Sequence, residues 1–289
     1  MKLMSTWTAA GAVAEMDRAG VATGIAFPGP ILSGTGEERR CAARLWNEFG
    51  ATLGQEYPSR FGLFASLPFP DIEGCVAEID FALDHLRADG FGIATSYGDW
   101  WLGDERFWPI YEKLDSRDAV LFVHPFDASC CAPASMTYMR AMMEGSWIEW
   151  PMNTARTILS LMVSGTLRRY PKIRFVFCHG GGVMPLLINR LAGFTAWTHV
   201  GEEGLKMLFP DGIESELRRL HFECAQACSH TNMNALRSLV PDSRILFGSD
   251  YPFFPVSYAA ARFAELGLSS ATAQAIGRDN AAAMLPRWA

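Results

Sequence analysis

Short, almost continuous apolar runs alternate along this chain with longer segments in which apolar residues recur every three or four positions. Continuous apolar runs are typical of strands buried on both faces, as in a parallel sheet. The recurring positions are typical of helices that pack one face against such a sheet. The predicted strands are residues 21–27, 61–67, 90–95, 120–124, 174–179, 221–224 and 244–248.

Helical spacing is clearest in three apolar stripes, at positions 42–53, 72–86 and 158–165. Thr8 precedes a further helix at the start of the chain and is a candidate for its N-cap. Seven strands that alternate with about eight helices approach a (β/α)8 TIM-type barrel with one strand too few. Because the chain opens with a helix, the missing strand would be the first.

The composition fits one globular α/β domain, which we expect to span residues 1–289. Hydrophobic residues make up 49% of the chain and charged residues 19%, which allows a large core and excludes general disorder. The net charge of −6, with no run rich in Lys or Arg, argues against nucleic-acid binding. No apolar stretch approaches the roughly 20 residues of a membrane helix, and the N-terminus lacks a signal-peptide core.

The seven cysteines are odd in number, scattered, and without a Cys-x-x-Cys motif. This pattern is not typical of a disulfide framework or a zinc finger. We therefore interpret the cysteines as small buried apolar residues and expect the protein to be cytoplasmic.

Three of the apolar runs end in a residue that can bind a metal or carry a proton. His124, His179 and Asp250 each follow such a run, and each is followed within two residues by glycine or proline. The C-terminal ends of parallel strands meet at one face of an α/β barrel, where the active site lies. Two imidazoles and a carboxylate that converge there would suit a divalent metal ion.

The sequence places three other histidines away from this face. His85 lies inside a predicted helix, His199 lies beyond the helix that follows the glycines, and His221 begins a strand at its N-terminal end. His230 follows a strand end and could line the pocket.

Five aromatic residues near predicted strand ends could wall a flat apolar substrate pocket, although packing explains each of them equally well. They are Trp100, Trp101, Phe126, Phe253 and Phe254. Two other kinds of site lack support, because the chain has no Gly-x-Ser-x-Gly elbow and no dinucleotide-binding Gly-x-Gly-x-x-Gly motif after a strand.

Taken together, the motifs at the three strand ends resemble one enzyme family. They are 122–125 (FVHP), 178–182 (CHGGG) and 248–253 (GSDYPF), supported by 60–68 (RFGLFASLP), Leu102-Gly103-Asp104 with Phe107 and Pro109, and the ending Asn280-Ala281. This set resembles the amidohydrolase-related decarboxylases, which are typified by aminocarboxymuconate-semialdehyde decarboxylase and include resorcylate and methylsalicylate decarboxylases. The resemblance extends over nearly the whole chain.

The resemblance implies a role for each matching residue. His124 matches a metal-ligating histidine, His179 a histidine that polarises the metal-bound water or the substrate, and Asp250 an aspartate that binds metal and carries a proton. Arg190 matches an arginine that reaches into the neighbouring subunit of a dimer and holds a substrate carboxylate. We therefore expect a homodimer with a divalent metal, with Zn²⁺ favoured over Mn²⁺.

The chain departs from the family pattern at its start. The family begins with a strand that ends in His-x-His or Glu-x-His and supplies two more metal ligands, whereas this chain has no histidine before His85. The barrel is therefore expected to lack its first strand and to have two unpaired edges beside the site.

The expected function is metal-dependent, non-oxidative decarboxylation of a small aromatic or dienoic carboxylic acid. One alternative is metal-dependent hydrolysis of a lactone, amide or ester, because the same fold supports both reactions. Another is an inactive fragment or pseudoenzyme that lacks the ligands of the first strand.

Overall fold

A computed structural model describes residues 7–29, 32–131, 145–194, 197 and 200–289. The strands are β1 (Gly24–Ala26), β2 (Phe61–Ser66), β3 (Gly90–Ala94), β4 (Ser96–Tyr97), β5 (Trp100–Trp101), β6 (Val120–His124), β7 (Arg174–Phe177), β8 (His221–Glu223) and β9 (Ile245–Leu246). The helices are α1 (Ala9–Ala19), α2 (Gly36–Glu56), α3 (Ile72–Asp84), α4 (Trp108–Ser116), α5 (Glu149–Val163), α6 (Thr166–Arg169), α7 (Met184–Phe194), α8 (Gly201–Leu208), α9 (Ile213–Leu217), α10 (His230–Arg237), α11 (Val256–Ala264), α12 (Ser270–Gln274) and α13 (Asn280–Met284). Among these described residues, no helix is both long and apolar enough to span a bilayer.

All seven predicted strands are present, and they form one parallel sheet in the order β1-β2-β3-β6-β7-β8-β9. Several are shorter than predicted. The last of them ends early because the Phe247 N–H donates to the Ile276 carbonyl, outside the sheet, at 3.0 Å. The hairpin β4–β5 was not predicted, since two-residue strands are too short for a periodic signal.

The sheet has the curled parallel form of a TIM-type barrel and is open between its two edge strands. Within the described part of the chain, β1 pairs with β2 alone and β9 with β8 alone. Helix α1, which precedes β1, contacts α11, which follows β9. The outer layer of helices therefore spans the place where the strands do not meet. The predicted α/β barrel class is confirmed.

Helix α1 begins as the sequence predicted. The Thr8 side chain accepts a hydrogen bond from the Gly11 N–H at 3.1 Å, and Thr8 itself has an extended conformation. An N-cap of this kind satisfies one of the backbone donors that the first turn leaves free.

Two apolar layers cover the two faces of the sheet. The larger layer packs the helices against the outer face and includes Phe91, Tyr111 and Ile158. The smaller layer lies on the inner face, where Val120 and Val176 pack with Met284 and Leu285 from the end of the chain. Because side chains alternate along a strand, Phe122 and His124, two and four positions beyond Val120, also point inward.

His221 is a buried histidine at the N-terminal end of β8, where the sequence placed it. It is 7% exposed, and its Nε2 accepts a hydrogen bond from the Arg244 guanidinium at 2.8 Å. Burial, together with the positive charges of Arg244 and Arg174, lowers the pKa of His221 to about 4. The folded protein therefore keeps this imidazole neutral at a pH where the unfolded chain is protonated.

We expect this histidine to make the metal-free protein less stable in mild acid. Its contribution is intact above pH 6.5 and is lost as the pH falls from 6.5 towards 4, because the unfolded chain then binds the extra proton. The loss is of the order of 3 kcal/mol at about 1.4 kcal/mol per pKa unit. Urea unfolding at pH 7 and pH 4.5 should show a smaller loss in His221→Gln, whereas the exposed control His85→Gln should behave like the wild type. An equal loss in all three proteins would refute this origin.

Candidate metal centre and catalytic site

The three residues that the sequence singled out lie together at the C-terminal edge of the sheet. His124 is the last residue of β6, His179 follows β7, and Asp250 follows β9. The His124 Nε2 lies 3.6 Å from the Asp250 Oδ1, and the His124 and His179 rings are 5.3 Å apart between centroids. Each of the three side chains is 16% exposed, so the group is shielded but open to a small molecule.

Backbone carbonyls fix the orientation of both imidazoles. The His124 Nδ1 donates to the Pro125 carbonyl at 2.9 Å, and the His179 Nδ1 donates to the Ala225 carbonyl at 3.2 Å. A carbonyl can only accept, so the proton of each neutral ring is on Nδ1. The Nε2 atoms of both histidines are therefore left with free lone pairs, the form that binds a metal ion.

Glu223 holds the backbone turn that carries His179. His179 has a φ of 55°, which is unusual for a residue other than glycine. The Glu223 carboxylate accepts hydrogen bonds from the His179 N–H at 2.7 Å and from the Ala225 N–H at 2.8 Å. Burial raises the pKa of Glu223, against the opposing effects of His179 and these two N–H groups. The sequence did not point to Glu223, because the His179 N–H that binds it lies 44 positions away in the chain.

Gly248 leaves room for the Glu223 carboxylate. A β-carbon at position 248 would lie 1.7 Å from the Glu223 Oε2. The Gly-Ser-Asp segment after β9 therefore passes close enough to cover the buried acid, which explains the glycine two residues before Asp250.

Gln226 orients Asp250 from the other side. Its side-chain amide donates a hydrogen bond to the Asp250 Oδ2. Both residues have a φ of 56°, so both occupy the left-handed region. One carboxylate oxygen is thus held by an amide, while the other faces His124.

Cys178 adds a sulfur atom to the group. The Cys178 Sγ and one imidazole nitrogen each from His124 and His179 all lie within 4.8 Å of one another. The side chain is fully buried, and burial raises the pKa of its thiol. The interpretation of the cysteines as small buried apolar residues agrees with the burial of Cys178. It did not anticipate that the Cys178 sulfur lies beside two imidazoles.

The other cysteines have varied surroundings. Cys75, Cys224 and Cys228 are buried, as predicted, but Cys41 is exposed and Cys130 is disulfide-bonded. The interpretation of the cysteines as small buried apolar residues is therefore wrong for Cys41, and it did not anticipate the disulfide at Cys130.

Aromatic rings border the site on the side of α5. The Trp150 ring lies 6.0 Å from the His124 ring, edge to face, and the Phe126 ring stacks on Trp150 at 6.1 Å. The Trp150 Nε1 donates to Asp127 at 2.8 Å, which fixes the indole. Phe126 was among the predicted wall residues, whereas Trp150 was not.

The other predicted wall residues have different surroundings. Trp100 packs edge-on against Phe107 under the Arg106 guanidinium, and Phe254 stacks on Tyr258. Phe253 is 47% exposed. Trp101 lies in the small hairpin, paired with Ser96.

Arg190 and the other histidines that the structure describes lie outside this cluster. Arg190 is exposed on α7, where contact with a second subunit stays a prediction. His85 is exposed at the end of α3, and His230 is exposed at the start of α10. The prediction for His199 falls outside the described residues.

The donor atoms fit a divalent metal ion. One ring nitrogen each from His124 and His179 and the Cys178 sulfur lie within 4.8 Å of one another, and the Asp250 Oδ1 lies 3.6 Å from the His124 Nε2. Zinc is bound by nitrogen, sulfur and carboxylate oxygen in four-coordinate sites, and catalytic sites keep one position open. The arrangement can thus hold a cation beside the Asp250 carboxyl group.

A curled parallel sheet with histidine and aspartate at its strand ends defines the class of metal-dependent α/β-barrel enzymes. A sequence model of the amidohydrolase family matches residues 4–287, so this chain belongs to that family. The resemblance stated from the motifs is thereby confirmed.

Named relatives of the chain include fungal decarboxylases. Decarboxylase yanB of Aspergillus niger is 31% identical over 98% of this chain and 79% of its own length. The 6-methylsalicylic acid decarboxylase acuB of Aspergillus aculeatus is 29% identical over 91% of this chain and 80% of its own length.

Solved structures share the fold. An amidohydrolase II structure superposes with a TM-score of 0.86 at 23% identity, covering 97% of this chain and 89% of its own. A dihydroxybenzoic acid decarboxylase from Polaromonas, with bound manganese and the inhibitor 2-nitroresorcinol, superposes with a TM-score of 0.81 at 22% identity, covering 95% and 85%.

Proposed function

We propose that this protein is a metal-dependent decarboxylase of a small hydroxylated aromatic carboxylic acid. The observation that carries the proposal is the convergence of His124, His179 and Asp250 at the strand ends of an amidohydrolase-family chain. Its relatives are decarboxylases, and one is named for 6-methylsalicylic acid. A monocyclic aromatic acid also suits the flat side wall formed by Trp150 and Phe126.

We infer that His124 and Asp250 hold the metal ion, with Zn²⁺ favoured over Mn²⁺. When bound, the ion supplies Lewis-acid charge that binds and polarises the oxygen atoms of the substrate. Imidazole donors suit zinc, whereas manganese prefers oxygen donors. A structural relative contains manganese, so both ions need to be tested.

Asp250 is assigned the proton transfer. Decarboxylation breaks the bond between the ring carbon and the carboxylate and leaves its electron pair on the ring carbon. Asp250 delivers a proton to that carbon and afterwards regains one from solvent. The hydrogen bond from Gln226 to Oδ2 keeps the carboxyl group in one orientation during this transfer.

His179 is assigned the binding of developing charge on the substrate oxygens. The Ala225 carbonyl binds the His179 Nδ1 and fixes the orientation of the ring. The Glu223 carboxylate binds the His179 backbone N–H and fixes the turn. The direction of the Nε2 lone pair is therefore fixed. Because the His179 imidazole is already oriented before the reaction, it need not reorganise when charge develops on the substrate.

We further infer a homodimer in which Arg190 binds a substrate carboxylate in the neighbouring subunit. Arg190 is exposed on α7, and the nearby α7 residue Leu186 is 68% exposed. An arginine binds a carboxylate through two parallel hydrogen bonds, which also fixes the orientation of the substrate.

The test uses the purified protein loaded with Zn²⁺ or Mn²⁺. It is incubated with 6-methylsalicylate, 2,6-dihydroxybenzoate or 5-carboxyvanillate carrying a ¹³C-labelled carboxyl group. We expect labelled CO₂ in the headspace, the corresponding phenol, and, in ²H₂O, one deuterium at the carbon that lost the carboxylate. The metal-free protein is the control. Hydrolysis of a lactone or ester panel without CO₂ release would replace the proposal with the hydrolase alternative.

A further inference from the structure

Cys178 occupies a distinctive place among the buried cysteines. It directly follows β7, two positions after Val176, which packs in the inner apolar layer. Strand alternation therefore carries its side chain to the inner face, at the level of the site. Cys75 and Cys224, in contrast, pack in the large outer apolar layer.

The atoms around the Cys178 sulfur are those of a metal-binding group. Its Sγ and one ring nitrogen each from His124 and His179 lie within 4.8 Å of one another. The Nδ1 atoms of His124 and His179 donate to backbone carbonyls, so the Nε2 of each ring keeps a free lone pair. An oxygen donor lies beside this group, because the Asp250 Oδ1 is 3.6 Å from the His124 Nε2.

We propose that Cys178 is a thiolate ligand of the metal ion in this site. The proposal rests on the proposed function in one respect, namely that a metal ion lies between His124 and Asp250. When the ion binds, the S–H bond breaks, the proton goes to solvent buffer, and a metal–sulfur bond forms without any change of oxidation state. A thiolate favours Zn²⁺ over Mn²⁺, because zinc accepts sulfur ligands readily and manganese prefers oxygen.

Cys178 as a ligand would make the site prefer Zn²⁺ to Mn²⁺. Removal of the sulfur donor should lower the affinity for Zn²⁺ by about tenfold or more. Mutation of a residue that only hydrogen-bonds to a metal ligand already has an effect of this size. The affinity for Mn²⁺ should change much less. The ratio of the two affinities therefore reports the sulfur donor itself, whereas a general loss of structure would lower both affinities.

The experiment titrates chelated, metal-free protein with Co²⁺ and records the near-ultraviolet band of sulfur-to-cobalt charge transfer. We expect this band at one equivalent in the wild type and its loss in both Cys178→Ser and Cys178→Ala. The matched controls are Cys224→Ala, a buried cysteine at the next strand end, and Cys41→Ser, an exposed one. Both should keep the band. Competition between Zn²⁺ and Mn²⁺ in the same proteins gives the affinity ratio.

Two failures can be told apart. Binding of one Co²⁺ with visible cobalt bands but without the sulfur band would overturn the role of Cys178 and leave the proposed function standing. Failure of the folded wild type to bind Co²⁺ would overturn both. If the Cys178 variants do not fold, X-ray absorption of the zinc-loaded wild type answers the question directly, because a thiolate ligand gives a sulfur scatterer at about 2.3 Å. A first shell without sulfur would refute the proposal.

Discussion

Asp250→Asn is expected to reduce kcat for decarboxylation by a factor of about 10² to 10⁴, the range for loss of a positioned proton donor. Asparagine has nearly the shape of aspartate and can still accept the hydrogen bond from Gln226, but its amide cannot deliver a proton to carbon. The measurement is steady-state turnover of the substrate that gives CO₂, at saturating metal and substrate. Metal content per subunit, measured by elemental mass spectrometry, separates loss of the ion from loss of the proton carrier.

The matched control is Asp99→Asn, at an exposed position in the turn of the β4–β5 hairpin. It makes the same chemical change away from the site and should leave kcat unaltered. Full turnover in Asp250→Asn with a normal metal content would show that another group protonates the ring carbon.

Gly182→Ala is expected to lower the free energy of unfolding by about 2 to 5 kcal/mol, combining the cost of left-handed backbone with that of overpacking. Gly182 has a φ of 63° and a ψ of −126°, a conformation open mainly to glycine. Its added β-carbon would lie 2.3 Å from the Pro151 carbonyl oxygen, and this neighbour is backbone of α5, which cannot rotate away. Urea unfolding of the metal-free protein measures the loss.

Gly98→Ala separates the two causes. Gly98 has a φ of 61°, but a β-carbon there would meet no atom within 4 Å. We therefore expect only the backbone cost, about 1 to 2 kcal/mol. Equal losses in the two variants would mean that the contact with Pro151 is not what requires glycine at 182.

The strands and the candidate ligands could be predicted because their signals are local. A buried parallel strand such as 120–124 is apolar along its length, and the prediction matches β6 at both ends. His124 and His179 each directly follow such a run, so their placement at one edge needs only the rule that parallel strands end together. The prediction for 244–248 was too long, because the sequence does not show that Phe247 bonds to Ile276 instead of a strand.

The residues that the sequence analysis missed are linked to the site by contacts distant in the chain. Glu223 accepts a hydrogen bond from the His179 N–H, 44 positions away in the chain. Trp150 donates a hydrogen bond to Asp127, 23 positions away. No periodic pattern or short motif records such a pair. A buried glutamate on a three-residue strand is conspicuous only once its burial is known.

By itself, the sequence determined the order of strands and helices, the family, and the three residues at the strand ends. These follow from the spacing of apolar positions and from short motifs, which act over a few residues. Only the tertiary structure decided that Cys178 lies beside the two imidazoles, that Glu223 holds the turn of His179, and that Gln226 binds Asp250. The physical reason is that burial, strand pairing and the direction of a hydrogen bond depend on distant segments of the chain that meet only in the folded molecule.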